Sequence, residues 1–301
     1  KWKAKAKELK AELKSAKKAV KNGTKAATSA AAAKATPVKK VSLVSPLAPA
    51  AFPDLPMIDG VEFASAQAGI KYQGRSDVTL MKVAAGSTIA GVFTTSSTRA
   101  ACVHDCQAKL ALKPDETAGA AIIVNSGNAN AFTGKLGDKA VEESTRAIAQ
   151  ALGCPRNEVF MASTGVIGQP LDWEKIVSVV PSLIKSARED GWSAAAAAMM
   201  TTDTFPKLAT RQAKIGEKTV SINGFLKGSG MIAPDMATML GFVFTDAKVP
   251  AGVLQKLLAD AADKSLNCVT VDGDTSTNDS FVVMATQRAQ HAQITSLDSA
   301  E

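Results

Sequence analysis

The sequence predicts a mixed α/β fold built in packed layers, and three observations lead there. Short runs rich in β-branched and apolar residues alternate with stretches of helical period along most of the chain. The chain is 46% hydrophobic but only 5% aromatic, so a sizeable core must come from Ala, Val, Ile, Leu and Met. Its 301 residues suit one large or two medium domains, and no internal repeat breaks the alternation.

Residues 1–40 read as a basic low-complexity tail. Residues 1–21 can form a Lys/Ala helix with little apolar face, and residues 22–40 are linker-like. The tail holds 13 Lys against Glu8 and Glu12, a surplus of 11 that leaves the remainder at −4 although the whole chain is +7. The basic pI of about 9.2 therefore describes the tail, and the body is mildly acidic. Such a tail suits nucleic acid or an anionic surface, or simply solvent; the solvated, disordered or helical extension is the expectation. Composition changes near Val41, and the prolines of VSPLAPAAFPDLP lead into a globular body.

Within the body, Thr79–Val83 and Ser87–Thr95 read as strands, and 119–124 as a buried strand followed by the loop NSGNANAFTG. Asp138–Leu152 is a helix with Val141, Ala147, Ile148 and Leu152 on one face. Glu158–Ala162 is a short strand that stops at STGVIG. Leu171–Arg188 is a helix that Pro181 breaks or kinks, and Ser193–Met200 a small Ala-rich helix. Strands follow at Lys218–Ile222 and Met239–Thr245. Pro250 starts a helix to Leu266 with Leu254, Leu257, Leu258 and Ala261 inward, and Phe281–Ala285 is the last strand.

Several function classes lose support. No apolar run reaches the ~18–20 residues of a membrane span, and no secretory signal is visible, so the expectation is a cytoplasmic protein. The first residue is not Met, which points to a processed or incomplete start. Cys102, Cys106, Cys154 and Cys268 lack the spacing of a disulfide framework and read as reduced, mostly buried thiols. CVHDC (102–106) has no second ligand cluster to complete a metal site. With only two His, neither beside a nucleophile signature, a Ser-His-Asp or Cys-His mechanism has weak support. Phosphate-binding glycine motifs are absent.

What remains is a set of Thr, Ser, Asn and Gly loops, foremost KGSGMIAPDMATML (227–240), an irregular segment that runs into a strand at a threonine. A threonine hydroxyl can attack the carbonyl before it and shift the chain from amide to ester, which water then cleaves. The freed N-terminal threonine carries its own base, an α-amine of unperturbed pKa about 7.7–8.0. The reaction needs a small preceding residue, here Ala237, an irregular approach and oxyanion donors. A plain glycine-rich loop entering a strand fits the same residues.

The same segment closely resembles the self-cleavage segment of the bifunctional ornithine acetyltransferase / N-acetylglutamate synthase family of arginine biosynthesis. Supporting segments follow in order: GVFTTSSTRAA (91–101), IVNSGNANAFTG (123–134), ASTGVIG (162–168), MTTDTFPK (200–207) and VDGDTSTNDS (271–280). The likeness runs from about residue 45 to the C-terminus. It implies the layered α/β sandwich of the ornithine acetyltransferase type, with an α-chain region over 41–237 and the start of a β-chain region over 238–301. It implies cleavage between Ala237 and Thr238, with Thr238 as nucleophile, Thr164 and Gly165 as the oxyanion pair, and Thr201 and Lys227 as substrate-binding residues; Thr202 is the alternative to Thr201. The implied reaction is ping-pong acetyl transfer from N-acetylornithine to glutamate through an acetyl-Thr238 ester, releasing ornithine. Some members also use acetyl-CoA. No metal or prosthetic group is implied, and the chains are expected to assemble as two α and two β.

Read as residues, STGVIG fits a strand-ending turn, Lys227 a solvated side chain, and SGNANAFTG either a pocket lining or a turn with Gly127 and Gly134 at positive φ. Asp272, Asp274 and Asp279 lack the spacing of a calcium loop and read as a structural loop near the site. Two departures stand out. Asp235 occupies a position where the family more often has Asn. The family also continues beyond the point where this chain stops, so a fragment or truncated product is expected. Alternatives are a related self-processing amidase or aminopeptidase that passes its acyl group to water, an inactive homologue, and a surface- or nucleic-acid-binding protein acting through the tail.

Overall fold

Residue alternation along the strands sorts the side chains into three apolar layers, and those layers define the architecture. The computed structural model describes residues 44–232 and 239–297. Among them, in chain order, are β1 (Val61–Ala66), β2 (Val78–Val83), β3 (Thr88–Phe93), α1 (Ala101–Leu110), β4 (Ala120–Asn128), α2 (Lys135–Leu152) and β5 (Val159–Val166). Then come α3 (Trp173–Ser186), α4 (Trp192–Ala198), β6 (Lys207–Ile215), β7 (Lys218–Lys227), β8 (Leu240–Thr245), α5 (Ala251–Asp263) and β9 (Ser280–Ala285).

The strands form a four-stranded sheet, order β1-β2-β4-β5, and a five-stranded sheet, order β3-β9-β8-β7-β6. β4 and β5 are parallel, as are β8 and β9. Parallel neighbours need a crossover, and α2 and α5 supply the two. The other neighbours are antiparallel, and β6 and β7 form a hairpin around Gly216-Glu217.

Successive residues of a strand face opposite ways. In β4, Ile122 and Val124 join the core between the sheets, whereas Ala121 and Ile123 join the core under the helices. Between the sheets, Phe63, Met81 and Phe160 of the first meet Phe225, Phe242, Phe244 and Met284 of the second. On the outer face of the first sheet, Leu80, Ile123 and Met161 pack with Val141 and Ile148 of α2 and Ile176 and Leu183 of α3. On the outer face of the second, Ala90, Val220 and Ala285 pack with Leu254 and Leu258 of α5. The result is helix on sheet on sheet on helix, the layered sandwich expected from the sequence. The few aromatics are concentrated: Phe63, Trp192, Phe225, Phe242 and Phe244 form a cluster with ring centroids 4.4 to 6.3 Å apart. Each such pair contributes roughly 0.5–1.5 kcal/mol beyond its buried area.

The expected strands and helices are present, with differences that have physical reasons. β4 continues through Asn125–Asn128, β5 through Ser163–Val166 and β7 to Lys227, all beyond the apolar runs. Their polar ends stay in the ladders, Asn125 opposite Ser163 and Ser126 opposite Thr164. STGVIG is thus not a turn that ends the strand at Ala162. Pro181 does not break α3; it lies on the exposed side, where the carbonyl it leaves without a donor can meet water. In α5, Leu254 and Leu258 point inward, but Leu257 and Ala261 are exposed, because the apolar stripe against the sheet is only one residue wide per turn. β1, α1 and β6 were not expected. The basic tail of residues 1–40 lies outside the described residues.

Candidate active site

Strand parity brings the first two site residues together. Thr164 lies two residues beyond Ala162 and four beyond Phe160, both of which face the space between the sheets. Lys227 lies two beyond Phe225, which faces the same space from the other sheet. Both side chains therefore turn into one end of the inter-sheet layer. There Lys227 Nζ donates to Thr164 Oγ1 at 2.9 Å, with the two residues only 2% and 3% exposed. Where the apolar filling ends, a cavity of about 360 Å³ opens, lined by Thr164, Gly165, Thr201, Thr202 and Lys227. Ser276, Thr277 and Asn278 close another side of it.

Each wall has an identifiable support. Gly165 has φ +136°, and a Cβ there would stand 2.2 Å from the carbonyl carbon of Gly127, so only glycine lets β4 and β5 approach at the bulge that ends their pairing. Asn278 Nδ2 donates to the carbonyls of Ala129 (2.6 Å) and Ser163 (2.9 Å), which ties the 276–278 wall to the ends of β4 and β5. Asp203 holds the Thr201 wall. Its carboxylate accepts Lys207 Nζ (2.5 Å), Gly228 N–H (2.8 Å) and Thr201 N–H (3.4 Å). Asp77 accepts the N–H groups of Ala68 (2.7 Å) and Ile70 (2.6 Å), folding the loop that brings Lys71 and Tyr72 to the cavity. Arg75 lies 4.2 Å over the Tyr72 ring and donates to the Met200 carbonyl at 2.5 Å, joining that loop to the Thr201 wall.

The electrostatics are those of a site short of anions. Burial pushes the Lys227 amine below its ordinary pKa, while the charges of Asp203 and Asp279 pull the other way. Among the described residues no carboxylate forms an ion pair with it. Burial alone would raise the Asp203 carboxyl, but the bonds from Lys207 and Gly228 and the charges of Lys207 and Lys227 outweigh it and hold the group below the usual carboxylate range. Burial raises the Asp279 carboxyl to about 7, against the opposing pull of the Met239 N–H and the Lys227 charge. A desolvated cation with a hydroxyl beside it can bind a carboxylate and orient it.

The expected residues Thr164, Gly165, Thr201 and Lys227 thus meet at one cavity, and Thr202 lines it as well as Thr201. Asp235, Ala237 and Thr238 lie outside the described residues. Both flanks of their segment are near the site. On one side Met231 lines the cavity and Ile232 pairs with Val271 (N–H to carbonyl, 2.8 Å). On the other, Met239 N–H donates to Asp279 Oδ1 at 2.5 Å. Of SGNANAFTG only Ala129 lines the cavity. The loop mainly braces itself: Asn128 Oδ1 accepts Asn130 N–H (2.7 Å), Asn130 Nδ2 reaches the Gly137 carbonyl (3.0 Å), and Gly127 and Gly134 have positive φ. Asp272 accepts the Met231 N–H at 2.8 Å. No cluster of three or more His, Cys, Asp or Glu suited to a metal occurs among the described residues, and none of their helices is long and apolar enough to cross a membrane. Lys71, Tyr72 and the bracing Asp203 were not anticipated; Asp203 sits inside MTTDTFPK, but its role depends on Gly228, a partner distant in sequence.

Residues 62–300 match the sequence profile of the ArgJ family. The chain is 54% identical over 247 residues to the arginine biosynthesis bifunctional protein ArgJ of Ruegeria pomeroyi, taking in 82% of this chain and 60% of that protein. Against the protein of the same name from Nitrobacter winogradskyi it is 52% identical over 246 residues, 82% of this chain and 59% of that one. The crystal structure of the ArgJ protein of Bacillus halodurans superimposes with a TM-score of 0.53 at 31% identity, over 60% of this chain and 92% of that one. The chain thus spans about 60% of the length of the curated relatives it matches.

Proposed function

The chain belongs to the ArgJ family, and on that premise we propose that it transfers acetyl groups from N-acetylornithine to glutamate, through an ester on Thr238 freed by cleavage after Ala237. In this reading residues 41–237 give the α chain and Thr238 begins the β chain, with two copies of each assembling in the cytoplasm. The Thr238 hydroxyl attacks the acetyl carbonyl, with its own α-amine as base. Thr164 and Gly165 stabilise the tetrahedral oxyanion, a contribution of roughly 3–4 kcal/mol per donor. Lys227 and Thr201 hold the amino-acid part of the substrate. Ornithine leaves, glutamate enters the same pocket, and its amine takes the acetyl group from the ester. The ester itself carries the acetyl group, so the scheme uses no metal or prosthetic group; acetyl-CoA serves as an alternative donor.

The observation that carries the reading is convergence. Residues from 164–165, 201 and 227 line one cavity whose border includes the near flank of the segment that contains Thr238. A buried lysine with no ion-pair partner among the described residues, at hydrogen-bond distance from a hydroxyl, suits a substrate carboxylate.

The test uses N-acetylornithine labelled with deuterium in its acetyl group, with unlabelled glutamate, followed by mass spectrometry. Labelled N-acetylglutamate and free ornithine are expected. Labelled acetate without labelled N-acetylglutamate would mark a hydrolase instead, and no turnover would overturn the activity for this chain.

A further inference from the structure

The cavity is lopsided in charge, and one of its cations has no task in the reaction described so far. Among the described residues that line it are two lysines, Lys71 and Lys227, and no carboxylate. Lys227 is engaged with Thr164 and suits a carboxylate that each substrate of the pocket carries. Lys71 is exposed, and its amine forms no ion pair among the described residues; it lies 5.9 Å from the centroid of the Tyr72 ring.

The backbone of Lys71 is nonetheless fixed. Asp77 accepts the N–H groups of the three residues before it, Ala68 (2.7 Å), Gly69 (3.3 Å) and Ile70 (2.6 Å), and Lys175 Nζ donates to the Gly69 carbonyl at 3.1 Å. Gly127, near the end of β4, has φ +105°, and a Cβ there would stand 2.7 Å from Lys71 Cβ, so glycine lets the loop seat directly on the strand. Gly127 is in turn opposite Gly165 in the ladder. Lys71 therefore stands beyond Gly127 in the row that leads to Gly165, whereas Lys227 comes to the cavity from the other sheet. Arg75 secures the far side of the loop: its Nη2 donates to the carbonyls of Met200 (2.5 Å) and Ala198 (3.4 Å), and its guanidinium lies 4.2 Å from the Tyr72 ring centroid. Tyr72 thus carries two cations at the rim. The nearby carboxylate of Asp203 does little to offset them, because Lys207 occupies it.

Two cations at separate points of one cavity of about 360 Å³ suit a small ligand with two anionic groups. Glutamate has a second carboxylate where N-acetylornithine has an ammonium. We propose that Lys71 selects the acceptor: its ammonium pairs with the side-chain carboxylate of a dicarboxylic amino acid whose α-carboxylate Lys227 holds. The identity of the acceptor rests on the acetyl-transfer reading above, whereas the preference for a dicarboxylate rests on the cavity. The same charge opposes the side-chain ammonium of the donor and of the ornithine it leaves, so Lys71 favours replacement of ornithine by glutamate once the acetyl group has moved. Discrimination comes from attraction of one ligand together with repulsion of the other.

The test titrates the full chain calorimetrically with glutamate, glutamine and ornithine, for the parent, Lys71→Met and Lys71→Arg. Glutamine has the shape of glutamate without its side-chain charge. The parent should prefer glutamate by about 5- to 15-fold, between the effect of an exposed ion pair and that of a buried charged hydrogen bond. Lys71→Met should lose this preference and bind ornithine at least as tightly as the parent, and Lys71→Arg should keep the preference. A purely structural role would weaken glutamate and glutamine alike, so an unchanged ratio in Lys71→Met overturns the proposal. A parent that binds the two alike, or that fails to bind glutamate, overturns it too. The same proteins are then supplied with N-acetylornithine and either acceptor, and acetylated product is measured by mass spectrometry. A binding ratio that depends on Lys71, without turnover in the parent, overturns the acetyl-transfer reading and leaves the dicarboxylate subsite standing. Turnover with a ratio indifferent to Lys71 does the reverse.

Discussion

Lys227 and Thr164 belong to different sheets and stand 63 residues apart, yet the amine of one donates to the hydroxyl of the other at 2.9 Å. The contact follows from alternation alone: each side chain is the next core-facing position after the apolar filling of its strand ends, at Ala162 on β5 and Phe225 on β7. The cavity is therefore a continuation of the inter-sheet layer in which polar side chains replace the apolar ones. Such a place makes a charge expensive to hold and strong in effect.

Lys227→Met keeps the length of the side chain and removes the charge. With N-acetylornithine as donor, kcat/KM should fall about 10- to 150-fold, mainly through KM, the range for hydrogen bonds to charged groups. Replacing a buried amine without an ion-pair partner by an apolar group should leave the melting temperature equal or higher. Steady-state kinetics and thermal melts check both, and an unchanged KM would remove Lys227 from substrate binding.

Thr164 and Gly165 should separate chemistry from folding. Gly165→Ala places a Cβ 2.2 Å from the Gly127 carbonyl carbon at φ +136°, so urea denaturation should show a loss on the order of 3 kcal/mol or more. Thr164→Val keeps the shape and removes the hydroxyl. It should fold normally while kcat drops about 100- to 1,000-fold, as for loss of an oxyanion donor. Normal turnover in the valine variant would assign that role elsewhere.

Asp279 should govern how stability varies with pH. Its folded pKa, about 7, is raised above the ordinary carboxylate value of 3.8, with burial the main cause. Between these values the folded state binds more protons than the unfolded state, so this group's contribution is fully present below pH 4 and is lost as pH rises through 7. In urea titrations from pH 4 to 8, Asp279→Asn should gain on the parent steadily across that window, by on the order of 4 kcal/mol at most. A constant difference would mean that the carboxyl ionises alike in both states.

Legibility in the sequence tracked how closely a segment's pattern followed its burial. The β4 run and the helix α2 are plain, because each apolar residue there meets an apolar partner. α1 is obscured by Lys109, which is buried with its amine on Asp105 (2.5 Å) and the Val159 carbonyl (2.6 Å), so a core-facing position reads as a surface one. β6 is an edge strand whose Arg211, Gln212 and Lys214 face solvent, and the small residues of β1 carry little pattern. The convergence of Thr164, Thr201 and Lys227 was anticipated through family likeness; their individual residue types would have served a turn or a surface equally well. Asp203 and Asp279 gain their meaning from Gly228 and Met239, which no local pattern relates to them.

The four thiols should react in an order set by burial. Cys102 and Cys106 lie on the core side of α1, and burial pushes their thiols up to about 11 and about 12, so almost no thiolate exists at pH 8. Cys106 also donates to the Met161 carbonyl at 3.2 Å. Cys154 is half-buried and its thiol is raised, mainly by desolvation. Cys268 is exposed. A chromogenic disulfide reagent at pH 8 should therefore find one fast thiol, one slow one and two that appear only in denaturant. Peptide mapping of the first adduct should find Cys268. Rapid labelling of Cys102 or Cys106 in the folded protein would show that α1 separates from β5 in solution, and with it the support on which Ser163, Thr164 and Gly165 are held.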